Sequence, residues 1–369
     1  MKELEVIGRL RAAFPDCGIG DDAAVLPAPR GEMLFAADAA IEGVHFDRRF
    51  STLSQAVQKL VTSNVSDIFA MGGSPGSIVF TAGLSVGCAS ADVDKIIDGL
   101  KRSCTQYGIK LVGGDTVSSP HGFCFNVAIV GEVRPGRAIL RSGAREGDTL
   151  VLFGEIGLSR AGLSVLSALY GGDAGGQRSA FPVSAPLARS LAESAPGLKK
   201  VLPLISIASS PGEMDRVAGA LGRLSYAHGV ARFVQRHLVP LAFPLDASLL
   251  DADPARVTAM IDISDGLGKD LRTLCAESGV GALIREETLP VPPAIGELCG
   301  LEGEALIDFA LASGEEYVLL AAVSPEAAES LGAGATVIGT AVPAANGIML
   351  ADASGKRRPM PNLGYEHVF

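Results

Sequence analysis

The chain is short of several things, and each shortage closes off a class of function. Its 369 residues carry 31 Lys and Arg against 41 Asp and Glu, a net charge of -10. With a pI near 5.1 it offers no basic surface of the kind that holds nucleic acid or anionic lipid. The six cysteines, Cys17, Cys88, Cys104, Cys124, Cys275 and Cys299, include no C-x-x-C pair. Neither a zinc knuckle nor a disulfide framework is legible, and a reducing cytosol fits best. Apolar runs such as residues 77–86 are too short to span a bilayer. The opening "MKELEVIGRLRAAF" is charged at every turn and reads as an amphipathic helix, not a secretion signal. The expectation is a cytoplasmic protein with no nucleic-acid and no membrane partner. Also missing are G-x-x-x-x-G-K-[ST] and a G-x-G-x-x-G after a strand, so a nucleotide site here has to be built from acidic residues and metal ions.

What is present is an ordinary globular composition, 48% apolar and 20% charged, at a length that suggests two domains. Strand-like apolar stretches at 33–37, 78–84, 110–112 and 123–133 alternate with helical patterns at 54–71 and 91–107. In the second helix Val93, Ile96, Ile97, Leu100 and Cys104 share a face. The alternation predicts an α/β (α+β) arrangement. "VRPGRAILRSGAREGD", residues 133–148, reads as a hinge, dividing the chain into 1–133 and 134–369. The second part predicts a strand at 149–153, a helix at 159–168 and strands near Val257, Ala282, Tyr317 and Val337. Residues 171–227, Gly- and Pro-rich and then weakly patterned, read as an insertion without assignable chemistry.

The informative feature is where the carboxylates sit. "MIDISDGLGKD", residues 260–270, sets Asp262 and Asp265 at the end of an apolar run, and burying an unpartnered carboxylate is costly. Asp265 can be read as the N-cap of a helix through Leu267, Leu271 and Leu274, which leaves Asp262 unexplained. "GIGDDAAVL" places Asp21 and Asp22 between glycines and an apolar segment; "LFAADAAIEGVHF" ends a strand at Asp38; "SNVSDIFAMGG" sets Asp67 in an apolar helix; "LVGGDTVSS" puts Asp115 after a strand and two glycines. Each alone reads as a turn, a cap or a solvated face. Together they make sense around a shared cation: Mg²⁺ takes oxygen ligands and usually binds carboxylates plus substrate phosphates, whereas clustered bare carboxylates take up protons. Glycines beside Asp21 and Asp115 would let backbone N–H groups approach phosphate oxygens.

"GIGDDAAVL", "DAAIEGVHF", "NVSDIFAMGGSP", "GGDT", "RSGAREGD", "DISDGLGKDL" and "SGEEYVLL", in this order, resemble the thiamine-monophosphate kinase family, part of the superfamily that includes aminoimidazole ribonucleotide synthetase. The likeness covers nearly the whole chain except 171–227. Selenophosphate synthetase is similar at "GDDAAV", but Cys17 lacks that family's glycine-cysteine-lysine context and reads as structural. The hydrogenase-maturation relative ends in a cysteine; this chain ends "GYEHVF".

The resemblance implies a two-domain aminoimidazole ribonucleotide synthetase-like fold, with an N-terminal ATP- and Mg-binding domain that forms a dimeric β-barrel in a homodimer, and a C-terminal α/β domain. It implies ATP-dependent phosphorylation of thiamine monophosphate to thiamine diphosphate by direct in-line transfer, with several Mg²⁺ ions and no protein nucleophile. The magnesium ligands would be Asp22, Asp38, Asp67, Asp115, Asp262 and Asp265, of which Asp265 and Asp115 are the metal-positioning carboxylates of the catalytic step. ATP would meet Gly114, Arg141 and Ser264; His45, Glu315 and Tyr365 would line the acceptor pocket. Three departures stand out: Ala36-Ala37 where the family has Thr-Thr, Ile97 where relatives carry an aromatic contact to ATP, and Glu315-Glu316 where the family writes Glu-Asp. They keep open another phosphoryl-transfer enzyme of the same superfamily and a catalytically silent nucleotide-binding dimer.

Overall fold

The computed structural model describes residues 2–15, 19, 22–171, 183–206, 211–220, 227–245, 256–332 and 334–367; Cys17, Gly20 and Asp21 lie outside them. The first half runs α1 (Glu3–Ala13), β1 (Glu32–Ile41), α2 (Leu53–Ala70), β2 (Ser74–Ser85), α3 (Ser90–Tyr107), β3 (Lys110–Ser119) and β4 (Cys124–Val133). Its strands form an open sheet in the order β1-β4-β2-β3, parallel only between β2 and β3. Alternation along the strands turns Ile78, Phe80, Val127 and Ile129 toward Val57, Val61 and Val65 of α2 and Leu100 of α3. Ile97 belongs to the same core. The opposite face keeps Met33, Phe35, Ile41, Val79 and Val117 exposed, Phe35 at 69%.

Two strand ends differ from the sequence reading. β1 continues to Ile41, and Asp38, paired with Val127, lies within it. β3 likewise runs through both glycines, and Asp115 pairs with Thr81 in mid-strand. Gly114 is needed there because a Cβ would collide with the Phe80 carbonyl oxygen of the neighbouring strand. The expected glycine turn is therefore a close strand contact.

Helix α2 begins at a capping box between Thr52 and Gln55 and buries 16 of its 18 residues. That is the pattern of a helix enclosed on all sides, and its polar residues find partners in the second half. Gln55 donates to the carbonyls of Leu202 (2.8 Å) and Ile205 (3.0 Å), Thr62 to that of Pro240 (3.1 Å), and Ser66 to Asp262 Oδ2 (2.7 Å).

The second half contains β5 (Thr149–Phe153), α4 (Leu158–Tyr170), α5 (Ala185–Val201), α6 (Pro211–Ala220), α7 (Ala227–Leu238), β6 (Val257–Asp262), α8 (Leu267–Ser278), β7 (Val280–Arg285), β8 (Leu319–Val323), β9 (Ala335–Pro343), β10 (Ile348–Ala351) and β11 (Arg357–Pro359). The strands order as β11-β10-β7-β9-β5-β8-β6, parallel only between β10 and β7. Leu150, Leu152, Ile261 and Ile263 face Leu267, Leu271 and Leu274 of α8. The stretch read as a featureless insertion contributes α5 and α6, whose Leu187, Leu191, Leu198 and Val217 share a core with Val165 and Phe233. Pro196 inside α5 obscured the helical period. No helix among the described residues is long and apolar enough to cross a membrane.

Candidate active site

Between α2 and the carboxyl end of β6 lies a cavity of about 550 Å³. Lys59, Ser63 and Asp67 line it from one stripe of α2, since residues four apart share a face. Asp38 enters from β1, its backbone held by Asn64, which accepts the Asp38 N–H (3.2 Å), and by Asn126, which donates to the Asp38 carbonyl (2.9 Å). Asp262, Ser264 and Asp265 come from the end of β6, Glu315 and Tyr317 from the approach to β8, and Tyr365 and His367 from the tail.

Four aspartates thus share one hollow with Glu315, and their electrostatics register it. Asp67 is pushed well above the ordinary carboxylate range by burial and then by the charges of Asp262 and Asp38, with Arg141 opposing. Asp262, only 2% exposed, is pushed up by burial against the Ser66 hydrogen bond and Arg141. Asp38 moves up by burial, against a hydrogen bond from Ser63 and with help from Asp265. Asp265 has Lys269 at 2.7 Å. Buried oxygen donors that repel one another fit a hard divalent cation in charge and donor type. Among the described residues, however, no three acidic, His or Cys side chains stand at direct metal-coordination spacing.

Asp22, Gly114 and Asp115 are elsewhere. They line a second hollow, about 530 Å³, at the β3 edge of the N-terminal sheet, where outward-facing Phe35 and Val79 meet Ile7 and Leu10 of α1. The reason is register: Gly114 is aligned with core-facing Phe80, so Asp115, one residue on, points to the opposite face. Within one chain the six expected ligands divide four and two. Of the expected ATP contacts, Ser264 lines the first cavity, Arg141 is exposed but close enough to act on Asp67 and Asp262, and Gly114 lies in the second hollow. Ala36 and Ala37 pair with Ile129 and Ala128 and turn to opposite faces of β1.

His45, Glu315 and Tyr365, expected at the acceptor, line the first cavity together. His45 Nδ1 accepts the Ile41 N–H (3.1 Å), leaving its proton on Nε2. Its ring lies 5.6 Å from that of His367, and Tyr365 meets His367 edge-on at 4.8 Å. The tail is tied down where the Tyr365 N–H donates to the Asp265 carbonyl (2.9 Å) and Lys269 Nζ to the Tyr365 carbonyl (2.8 Å). Glu315 is paired with Lys59 at 2.9 Å.

Sequence reasoning missed Asp270. One of its oxygens accepts the N–H groups of Ser264, Asp265 and Gly266, each at 3.1 Å. Burial, followed by the charges of Asp262 and Asp265, pushes it up to about 8. Asp265 is therefore not the cap of α8: the cap position is Gly266, at φ 119°, and Asp270 reaches back from inside the helix to hold the turn. The signal was an acidic residue in the first turn of α8, where acidic residues are common. Lys59, His237 and His367, also in the cavity wall, carried no signal of their own.

Models of the AIR synthase related protein family match twice, the N-terminal domain over residues 20–133 and the C-terminal domain over 237–350. Fold and site thus define the class as AIR synthase related. Thiamine-monophosphate kinase of Synechococcus elongatus is 30% identical over 323 residues, 87% of this chain and 82% of that protein. The solved structure "AaThiL complexed with AMPPCP and TMP" is 27% identical with a TM-score of 0.66, covering 99% of this chain and 97% of that one. Thiamine-monophosphate kinase from Stenotrophomonas maltophilia K279a is 25% identical, also at 0.66, covering 95% and 96%. The chain belongs to the thiamine-monophosphate kinase family.

Proposed function

We infer that the chain phosphorylates thiamine monophosphate to thiamine diphosphate at the expense of ATP, in a direct in-line transfer. The observation that carries this is the single cavity in which His45, Glu315 and Tyr365 meet Asp38, Asp67, Asp262 and Asp265. It is aromatic at the tail and acidic at β6, which suits an acceptor with rings at one end and a phosphate at the other. The acceptor phosphate is itself the nucleophile, so the protein's task is positioning and charge. Mg²⁺, when bound, supplies positive charge that offsets the repulsion between two phosphates. Asp38, Asp67, Asp262 and Asp265 are the residues to hold it from this cavity. Asp270 fixes the turn presenting Ser264 and Asp265, Arg141 offers a guanidinium fork for polyphosphate, and the Tyr365 and His45 rings take the acceptor's cationic heterocycle.

The division after Val133 and the homodimer belong to the same proposal. The open sheet leaves Met33, Phe35, Ile41, Val79 and Val117 exposed on one face, a patch of the kind monomers seldom keep. A second copy closing a barrel over it would bury these side chains and enclose Asp22, Gly114 and Asp115. Cys88, Cys104, Cys124, Cys275 and Cys299 are free thiols, in keeping with a cytoplasmic protein. The test is ADP release from ATP and Mg²⁺ with thiamine monophosphate against a panel of other phosphorylated acceptors. Release that ignores the thiamine compound would overturn the acceptor assignment, and ATP binding without any release would favour the silent dimer.

A further inference from the structure

The cavity contains an ion pair one member of which, Lys59, the proposed chemistry does not use. Lys59 Nζ of α2 lies 2.9 Å from Glu315 Oε2, with side chains 9% and 13% exposed. The pair joins the two halves of the chain, and His237 Nδ1 stands 3.8 Å from the same oxygen while bonded to Ser159 Oγ at 3.2 Å. The segment carrying Glu315 is unusual. Glu315 (φ 58°) and Tyr317 (φ 50°) are the two non-glycine residues with positive φ among the described residues, a conformation that persists only where the surroundings enforce it. The enforcement is visible. Between them Glu316 is fully buried, its Oε1 accepting from Ser313 Oγ (2.6 Å) and the Ser159 N–H (3.0 Å). The Glu315 N–H donates to the Ser264 carbonyl (2.7 Å) and the Tyr317 N–H to that of Ile263 (2.9 Å). The backbone aims Glu315 into the cavity, but its side chain still has free torsions, and Lys59 removes them.

We propose that Lys59 is a positioning residue for the acceptor: it fixes the Glu315 carboxylate at a set distance from the phosphoryl-transfer end of the cavity. Lys59, Ser63 and Asp67 lie on one stripe of α2, so Asp67 stands eight helical steps beyond Lys59, a rigid spacing of about 12 Å at the helical rise. Helix α2 thereby acts as a ruler between the acidic end of the cavity and Glu315. Because Lys59 already neutralises Glu315, the carboxylate offers the acceptor an oriented lone pair and not a free negative charge. Lone cations gain little there, and an acceptor of the right length is selected.

This rests on the reading of the cavity as the acceptor pocket, and the test separates the two. Steady-state constants for thiamine monophosphate and for ATP are measured for the parent, K59M, K59R, E315Q and K59M/E315Q, with a thermal melt for each. The expected result is that K59M raises the acceptor KM about tenfold, with kcat and the ATP KM within about twofold, because ground-state positioning alone is lost. K59R restores the acceptor KM to within about threefold, and K59M adds less than about twofold on the E315Q background, as expected for residues acting as a unit. If E315Q leaves the acceptor KM unchanged, the acceptor-pocket reading falls and takes this proposal with it. If E315Q raises it and K59M does not, the proposal alone is overturned. It is equally overturned if K59M lowers the melting temperature and raises both KM values in parallel, because Lys59 is then only a strut between the two halves.

Discussion

The two hollows of this chain hold the same kind of residue in opposite settings. In the cavity between α2 and β6, Asp38, Asp67 and Asp262 are at least half-buried, drawn from both halves of the chain, and raised in pKa by burial and mutual repulsion. Around the second hollow Asp22 and Asp115 are exposed among apolar neighbours. The first site already bears the electrostatic cost of gathering charge. The second is open to solvent within one chain, beside the exposed apolar side chains of Phe35 and Val79. A carboxylate's neighbourhood, more than its motif, says whether its site is complete within a single chain.

Substitutions sharpen the contrast. The largest effect is expected from Asp262→Asn, which alters the deepest carboxylate of the cavity and its bond to Ser66: activity falls on the order of 100-fold or more, while the oligomeric state, read by light scattering, is unchanged. Asp270→Ala leaves three N–H groups of the 264–266 turn without their acceptor, and a loss of about 10- to 100-fold is expected in the same assay, as for other groups that orient a ligand from behind. Phe35→Asp, on the outer face, should instead produce monomer, with activity falling about tenfold if the second hollow closes only on association. A dimer that survives this change, or a fully active monomer, breaks the comparison.

The smallest effect is on stability. Asp67 is raised from 3.8 to about 8 in the folded chain, so the native state holds a proton that the unfolded chain has released between about pH 4 and 8. Its stabilising contribution is fully present below the unfolded value and is lost as pH rises through the folded one. Without Mg²⁺ the melting temperature should therefore fall from pH 5 to pH 8. Asp67→Asn should flatten that slope, and added Mg²⁺ should raise the melting point most at pH 8. A slope unaffected by the substitution would detach Asp67 from the cluster.

Much of the site was legible because a carboxylate within or at the end of an apolar segment is a local anomaly, and Asp38, Asp67, Asp262 and Asp265 each showed one. Their partition from Asp22 and Asp115 was not, because it turns on register: one residue separates core-facing Gly114 from outward-facing Asp115. The α/β alternation was readable from helical and strand periods, yet α5 and α6 were hidden by Pro196 and the glycines before them. Lys59 and Asp270 look in the sequence like ordinary helix residues, and only distances of 2.9 and 3.1 Å to distant or looped-back partners give them roles. Positive φ at Glu315 and Tyr317 likewise follows from tertiary contacts to Ile263, Ser264 and Ser159 that no local pattern encodes.

The most direct test of the central claim follows the γ-phosphoryl group itself, using γ-labelled ATP with Mg²⁺ and thiamine monophosphate. Label is predicted to appear in thiamine diphosphate in step with ADP, none on the protein, and transfer should all but vanish in Asp262→Asn. Label found on the protein or only in inorganic phosphate, or full transfer by the Asp262→Asn variant, would contradict the account.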